Sequence, residues 1–317
     1  MREAPGRECP FASRERTTKK SHGLSQGKRS PRTQEWAKAI EELRPEHDVA
    51  ILLNCKQMAR SVFYYHRKRL NVDDKYKHEK EDIVRIYHLH KGRYGYRRVT
   101  AEMKNLGYSI NHKTVQRLMG TLDLKCNIRK VRYRSYKGEV GKIAPNLLER
   151  NFKASLPNQK WATDVTQVNI KGEKIYLSPI LDLFNGEVIS YSISNSPNMQ
   201  MIEEMLYKAF DKVKDTKGLI FHSDQGWQYQ HYGYRKALEK QGIIKSMSRK
   251  GNCLDNALAE NFFGIMKTEL LYRQSFETAE EFIASLKEYI HYYNNKRIKN
   301  RLNGKSPVEY RALVQKT

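Results

Sequence analysis

The chain has 317 residues, and its 59 Lys and Arg against 35 Asp and Glu give a formal net charge of +24. Most of this surplus lies in residues 1–150, which hold 35 basic and 17 acidic side chains and are therefore predicted to bind a polyanion. No run of about 18 apolar residues could span a membrane, the first 30 residues contain no apolar signal segment, and the four cysteines lie too far apart for a disulfide framework or paired zinc ligands.

The N-terminal part of the chain is predicted to be a basic arm followed by helices. Residues 1–32 show no hydrophobic periodicity, which predicts a disordered basic arm, or alternatively a tail with no role. Residues 33–75 are predicted to be helical. Trp36 and Ile40 fall on one helix face, and a second short helix fits Cys55–Arg69.

Residues 76–121 have the pattern of a helix-turn-helix. Helical periodicity covers Lys80–His90 and Arg97–Leu106, and Asn111 is placed to cap a third helix over His112–Met119. The outer face of this third helix carries polar and basic side chains that a DNA major groove accepts. The predicted DNA-binding residues of this region are Lys113, Gln116, Arg117, Arg97 and Arg98. The alternative is a small helical connector with a solvated basic face.

Residues 122–155 are predicted to be a basic linker, which either follows a DNA phosphate backbone or acts as a flexible tether. Residues 156–275 then show three antiparallel strands, a helix, a strand, a helix, a strand and a helix, the order of a ribonuclease-H-like α/β fold with a mixed sheet. The predicted strands are Trp161–Ile170, Lys174–Leu183, Glu187–Ile193, Leu219–His222 and Ile243–Ser248. The helix after the last strand is predicted over Asn256–Leu271. Residues 276–317 are predicted to extend this core with helices.

Three carboxylates occupy positions that suggest metal-dependent chemistry. Asp164 lies in the first strand, Asp224 directly follows the fourth, and Glu260 lies early in a helix, with 35 residues between the last two. A carboxylate among apolar neighbours is costly unless it is compensated, and Mg²⁺ prefers such oxygen ligands. Two ions about 4 Å apart activate a nucleophile and stabilise the leaving oxygen of a phosphoryl displacement. Taken singly, each carboxylate also fits a turn or a solvated helix face.

Five segments carry a resemblance to a known family. They are WATDVT (161–166), FHSDQGWQY (221–229), DNALAENFFGIMKTE (255–269), YGYRRVTAEMKNLGYSINHKTVQRLM (94–119) and HYYNNKRIKNRLNGKSPVEY (291–310). Together they closely resemble the DDE transposases of bacterial insertion sequences, in particular the second-open-reading-frame product of the insertion-sequence-3 family, whose core is related to retroviral integrases. The resemblance covers roughly residues 50–315.

The resemblance implies which residues form the site. Asp164, Asp224 and Glu260 match the catalytic triad, which is expected to hold two Mg²⁺ ions, with Mn²⁺ as a substitute. Further DNA contacts are expected near the triad, at Lys267, Asn256, Arg249 and Lys250. Weaker candidates are His222 and Gln225 as DNA contacts and Asp182 as a support of the metal site.

The implied activity is strand cleavage and strand transfer at insertion-sequence ends in the bacterial cytoplasm, on DNA of the nucleoid, leading to DNA integration. The implied partners are the terminal inverted repeats, target DNA, further copies of this chain in a dimer or larger synaptic complex, and an upstream open-reading-frame product. Two alternatives stay open. One is a catalytically silent DNA-binding regulator of transposition, and the other is a ribonuclease-H-type nuclease without strand transfer.

Overall fold

The computed structural model describes residues 33–70, 74–126, 144–249 and 253–316. The predicted arm, Lys250 and the linker residues 127–143 lie outside these ranges. The chain divides into two compact units, Met1–Lys77 and His78–Thr317. Within the described ranges, no helix combines the length and apolarity that a membrane crossing needs.

The first unit contains three short helices, α1 (Thr33–Leu43), α2 (Val49–Cys55) and α3 (Arg60–Leu70). The sequence pattern missed α2, whose start is capped by the Asp48 carboxylate accepting the Ala50 N–H at 2.6 Å. The predicted helix over Cys55–Arg69 was therefore wrong in its first turn. The apolar faces of the helices meet in one small core, made of Ala37, Ile40, Leu52, Leu53 and Phe63.

The second unit begins with the helix-turn-helix, whose helices are α4 (Lys77–Leu89), α5 (Tyr96–Asn105) and α6 (His112–Thr121). The predicted N-cap is confirmed, since Asn111 accepts the Lys113 N–H at 2.8 Å. Gly107 follows α5 with φ +93°, a left-handed conformation that glycine adopts without strain. Helices α5 and α6 pack against each other. All three helices carry buried apolar residues, among them Ile83, Ile86, Val99, Met103, Val115 and Leu118.

The same unit contains a mixed sheet. Its strands are β1 (Lys160–Thr163), β2 (Thr166–Ile170), β3 (Glu173–Asp182), β4 (Val188–Ser194), β5 (Ile220–Ser223) and β6 (Ile244–Met247). Strand β3 pairs antiparallel with β1, β2 and β4. Strand β5 lies between β1 and β6 and pairs parallel with both. This order confirms the predicted ribonuclease-H-like α/β core.

The first predicted strand, Trp161–Ile170, is interrupted. Both of its parts keep one register against β3, with Thr163 opposite Ile180 and Thr166 opposite Leu177. The break therefore falls on Asp164 and Val165, opposite Pro179 and Ser178. Proline has no N–H to donate to a ladder, which accounts for the interruption at this point.

Helices cover both faces of the sheet. They are α7 (Met199–Lys212), α8 (Trp227–Gln230), α9 (Tyr232–Lys240), α10 (Ala257–Met266), α11 (Ala279–Asn295) and α12 (Pro307–Lys316). One buried cluster joins the sheet to α10 and α11 through Leu177, Leu181, Phe262, Met266 and Phe282. A second joins the other face to α7 and α9 through Trp161, Ile180, Met205, Phe221 and Leu238.

The helix predicted over Asn256–Leu271 has three parts. A short 3₁₀ turn (Cys253–Asn256) leads into α10, and a π-helical turn (Lys267–Leu271) ends it. Within the described residues, the helix-turn-helix and the sheet belong to the same compact unit.

Candidate active site

The three predicted carboxylates sit where the central strands end. Asp164 lies in the break between β1 and β2, Asp224 directly follows β5, and Glu260 lies in the first turn of α10. Strands β1 and β5 are parallel neighbours, so the two aspartates follow the same edge of the sheet. In sheets of this kind, this edge is where ligands bind.

The carboxylates also affect one another electrostatically. Burial raises the pKa of Asp164 well above its ordinary value, and the negative charges of Asp224 and Glu260 raise it further. The Val165 N–H bond to Asp164, at 2.7 Å, and the Lys267 ammonium act in the opposite direction. Burial raises the pKa of Asp224 as well, against a 2.9 Å bond from the Gly226 N–H. The structure therefore brings the predicted triad and Lys267 within electrostatic reach of one another.

This arrangement fits a hard divalent cation chemically. The aspartates offer oxygen ligands, and burial, joined at Asp164 by neighbouring negative charge, raises their pKa values, so that a bound cation would stabilise their charged forms. Across the described residues, no three His, Cys, Asp or Glu side chains are gathered closely enough to enclose a metal as they stand. Asp164 and Asp224 are therefore the primary candidate ligands, and Glu260 would approach them to complete the set.

Asn256 connects the Glu260 helix to the sheet. Its side-chain amide donates to the Thr163 carbonyl at 3.0 Å, and the residue is buried. The bond joins the start of α10 to the last residue of β1, next to Asp164. Asn256 was predicted to orient either DNA or Glu260, and its buried side chain, bonded to Thr163, favours the second role.

Asp255 is a fully buried carboxylate whose oxygens accept bonds from protein donors. The Arg249 side chain donates to both oxygens at 2.9 Å, with further bonds from Arg150 at 3.2 Å and Asn146 at 3.0 Å. These contacts, those with Arg249 above all, hold the pKa of Asp255 well below its ordinary range. Asp255 is thus a structural carboxylate, and Arg249, predicted as a DNA contact, is engaged in holding it.

Three weaker candidates have structural partners instead. His222 is completely buried and its Nδ1 lies 2.9 Å from the Ser246 hydroxyl, so it was wrongly taken as a DNA contact. The Gln225 side chain donates to the Ser248 carbonyl at 2.9 Å. Asp182 is buried in β3 and pairs with Arg311 of α12, which attaches the last helix to the sheet and leaves no support role at the metal site.

The helix-turn-helix presents the predicted DNA-binding face. Lys113, Gln116 and Arg117 are exposed on α6, as is Arg97 at the start of α5. Arg98 is half-buried, and its guanidinium lies 3.4 Å from the Glu269 carboxylate. That ion pair favours a structural role for Arg98 over a DNA contact.

A cleft of about 370 Å³ lies between α5 and α10. Its lining includes Arg93, Arg97, Arg98 and Arg297, with Asn261 and Gly264 from α10 and Thr268 from the π-helical turn after it. The cleft thus joins the helix-turn-helix to the helix that carries Glu260.

Comparison with known proteins identifies the family. An integrase core domain model matches residues 154–253 and 260–314, which contain the whole triad, and an HTH-like domain model matches residues 74–132. A solved structure, the HTLV-2 integrase catalytic core domain in complex with magnesium, is 21% identical with a TM-score of 0.40, covering 50% of this chain and 98% of that chain.

Curated relatives match over nearly their whole length. The protein named as a transposase, InsK, for insertion sequence element IS150 of Escherichia coli K12 is 53% identical over 274 residues, covering 86% of this chain and 97% of the relative. The transposase InsF for insertion sequence IS3A of the same organism is 32% identical over 277 residues, covering 86% and 96%. The chain therefore belongs to the insertion-sequence-3 family of DDE transposases.

Proposed function

We propose that this transposase carries out Mg²⁺-dependent strand cleavage and strand transfer at the ends of its insertion sequence, leading to DNA integration. The observation that carries the proposal is the placement of Asp164 and Asp224 at the same edge of the sheet, where the charges of Asp224, Glu260 and Lys267 all act on Asp164. Carboxylates with pKa values perturbed by burial and by neighbouring charges are typical of catalytic sites.

The chemistry requires two in-line displacements at phosphorus. In the first, water attacks the phosphodiester at the element's end and the 3′-oxygen leaves as a 3′-OH. In the second, that 3′-OH attacks another DNA phosphodiester, so one phosphodiester bond forms as another breaks. The first transfer is expected to join one end to the other and yield a circle, which then integrates.

The residues of the chain have separate roles in this proposal. Asp164, Asp224 and Glu260 would hold two Mg²⁺ ions, with Mn²⁺ as a substitute. Bound metal supplies activation of the nucleophile and stabilisation of the leaving oxygen. Lys267, at the end of α10, would contact a phosphate beside the triad. Orientation of the DNA by these groups supplies much of the rate enhancement.

DNA is expected to extend from α6 along the arginine-lined cleft to the carboxylates. Lys113, Gln116 and Arg117 would read the terminal inverted repeat, and Arg97 would contact the backbone. Two ends must be held together for joining, which predicts a dimer or larger synaptic complex in the bacterial cytoplasm, with target DNA and the upstream open-reading-frame product as further partners.

The test uses Asp164→Asn, Asp224→Asn and Glu260→Gln with labelled element-end DNA. Each variant should lose strand cleavage by at least about 10³-fold, because the three carboxylates act as one unit. End binding, measured by mobility shift, should stay within a few-fold of the wild type.

Asp211→Asn and Glu239→Gln are matched controls, because both residues are exposed on helices of the same core. They should cleave like the wild type on a denaturing gel. Wild-type cleavage by any triad variant would overturn the assignment of that residue. A wild type that binds ends specifically without cutting them would favour the regulator instead.

A further inference from the structure

The helix-turn-helix is docked on the C-terminal part of the core. Tyr94, just before α5, is completely buried, and its hydroxyl donates to the Lys296 carbonyl at 3.2 Å and accepts the Ile298 N–H at 2.9 Å. The His90 ring stacks on Tyr94 with centroids 3.8 Å apart, and its Nδ1 lies 3.1 Å from the Tyr292 hydroxyl. The end of α11 and the segment after it thus bind Tyr94 and His90 of the helix-turn-helix region.

Glu269 forms the ionic part of this contact. Its carboxylate accepts two bonds from the buried Arg297 side chain, at 2.8 and 2.7 Å, and lies 3.4 Å from Arg98. Arg93 donates to the Glu269 backbone carbonyl at 3.1 Å. We call Arg93, Tyr94, Arg98, Glu269, Tyr292 and Arg297 the docking cluster. The two-bond pair with Arg297 lies within the core and fixes the direction of the Glu269 carboxylate, which Arg98 of the helix-turn-helix approaches from the other side of the contact.

The docking cluster is continuous with the catalytic helix. Glu269 lies in the π-helical turn that begins at Lys267, and this turn directly continues α10, which carries Glu260. Turns of this type are frequent at functional sites. The helix-turn-helix therefore contacts the same element that carries two of the four residues assigned to the reaction.

We propose that the docking cluster sets the distance along the DNA between the sequence bound by α6 and the phosphodiester that is cut. Arg98 and Glu269 are then positioning residues that select the cleavage site without touching the reacting atoms. The inference rests on the proposed function. It follows from the shared compact unit and from these contacts: a helix-turn-helix docked through Arg93, Tyr94 and Arg98 carries α6 at a fixed place relative to the core and so measures a fixed length of DNA, whereas one on a tether would permit many lengths.

The test compares element ends that carry insertions of 1 to 10 base pairs between the sequence bound by α6 and the cut position. The wild type should behave in one of two ways. It should cut only the DNA with native spacing, or it should cut the DNA with insertions at the native distance from the sequence bound by α6. Arg93→Ala/Arg98→Ala should cut at several positions, with the preference for native spacing reduced at least tenfold. A merely destabilised enzyme would lose rate at every spacing and keep its preference.

Two further variants sharpen the comparison. Arg93→Lys/Arg98→Lys keeps both positive charges and should recover most of the preference. Arg85→Ala removes an arginine whose partner, Asp82, lies in the same helix and away from the core, and it should keep the wild-type pattern. An alanine double variant that folds, binds ends and still cuts at the native distance alone would overturn the proposal, as would a wild type that cuts at every distance.

A second readout needs neither metal nor cleavage. In DNA-free protein with EDTA, amide hydrogen exchange in α5 and in Lys267–Leu271 should rise at least tenfold in the alanine double variant and stay unchanged in Arg85→Ala. Unchanged exchange in the double variant would overturn the docking role. If the wild type cuts no DNA while the exchange result holds, the proposed reaction fails and the docking cluster stands as a structural link without a measuring role.

Discussion

Burial disfavours the charged forms of Asp164 and Asp224 and raises the pKa of both, and the neighbouring carboxylates Asp224 and Glu260 raise that of Asp164 further. Asp255 lies close by in sequence to Glu260 and is buried too, yet the guanidiniums of Arg249 and Arg150 lower its pKa. This difference in pKa distinguishes Asp164 and Asp224, the candidate metal ligands, from Asp255, whose charge is already balanced by two arginines.

Asp224→Asn should stabilise the metal-free protein at pH 7 by on the order of 1 kcal/mol. The raised pKa means that the folded wild type loses stability as pH rises from about 3.9, the unfolded value, through the folded value, and asparagine cannot ionise. The asparagine side-chain oxygen can still accept the Gly226 N–H. Urea denaturation in EDTA measures the effect.

Asp255→Asn is the control of opposite sign. It removes the charge that the two arginines stabilise and should cost about 1–3 kcal/mol at pH 7. For this residue the stability is present above the unfolded pKa and is lost as pH falls through the lowered folded value. Both variants shifting stability in the same direction would contradict the electrostatic interpretation.

Sequence patterns could single out Asp164, Asp224 and Glu260 as candidates because residue type and spacing are local signals, and the family resemblance grouped these three positions as one predicted triad. They could not show what each neighbouring side chain contacts. Asn256 bonds to Thr163, which is 93 positions away, and Arg150 reaches Asp255 across 105. Asn256 and Arg249 were therefore predicted as DNA contacts from their position near Glu260 alone.

At the scale of elements, the active site is built at irregularities. Asp164 occupies the break between β1 and β2, and Lys267 begins the π-helical turn after α10. Alternation of apolar residues across Trp161–Ile170 predicts one continuous strand, because the pattern does not include the effect of Pro179 on the opposite strand. The 3.6-residue period likewise predicts an unbroken helix to Leu271.

The contact between α4 and the core should weaken in acid. Burial lowers the pKa of His90 to about 4. The positive charges of Arg93, Arg98 and Lys296 also lower this pKa, and the negative charge of Glu269 raises it. Above pH 6.5, the ordinary value, both states are neutral. Between 6.5 and about 4 the unfolded chain binds a proton that the folded one does not, so stability falls.

His90→Gln should remove this part of the pH dependence. Between pH 7 and pH 5 the wild type should lose up to about 1 kcal/mol more than the variant, as measured by urea denaturation at both values. The His222 imidazole is buried as well and is present in both proteins, so its contribution cancels in the comparison. Equal pH dependence in wild type and variant would contradict the assignment to His90.

At the scale of the whole molecule, the second unit combines recognition and chemistry. The fold class and order of strands could be predicted from hydrophobic periodicity, and the helix-turn-helix from its cap and turn. Its docking could not, because Tyr94 and Lys296 are 202 positions apart and both segments look like ordinary surface helices and turns in the sequence. The described parts of residues 78–317 form one compact unit, which the basic composition of the linker does not predict.

The central claim is that this site both cuts and joins DNA. The most direct measurement is a single-turnover reaction of the wild type with end-labelled element DNA in Mg²⁺ or EDTA, with and without the upstream open-reading-frame product, followed on a denaturing gel. We predict a nicked strand that appears first and a joined strand that follows it, both absent in EDTA. Specific binding without any product in Mg²⁺, or nicks that never become joined strands, would contradict the account.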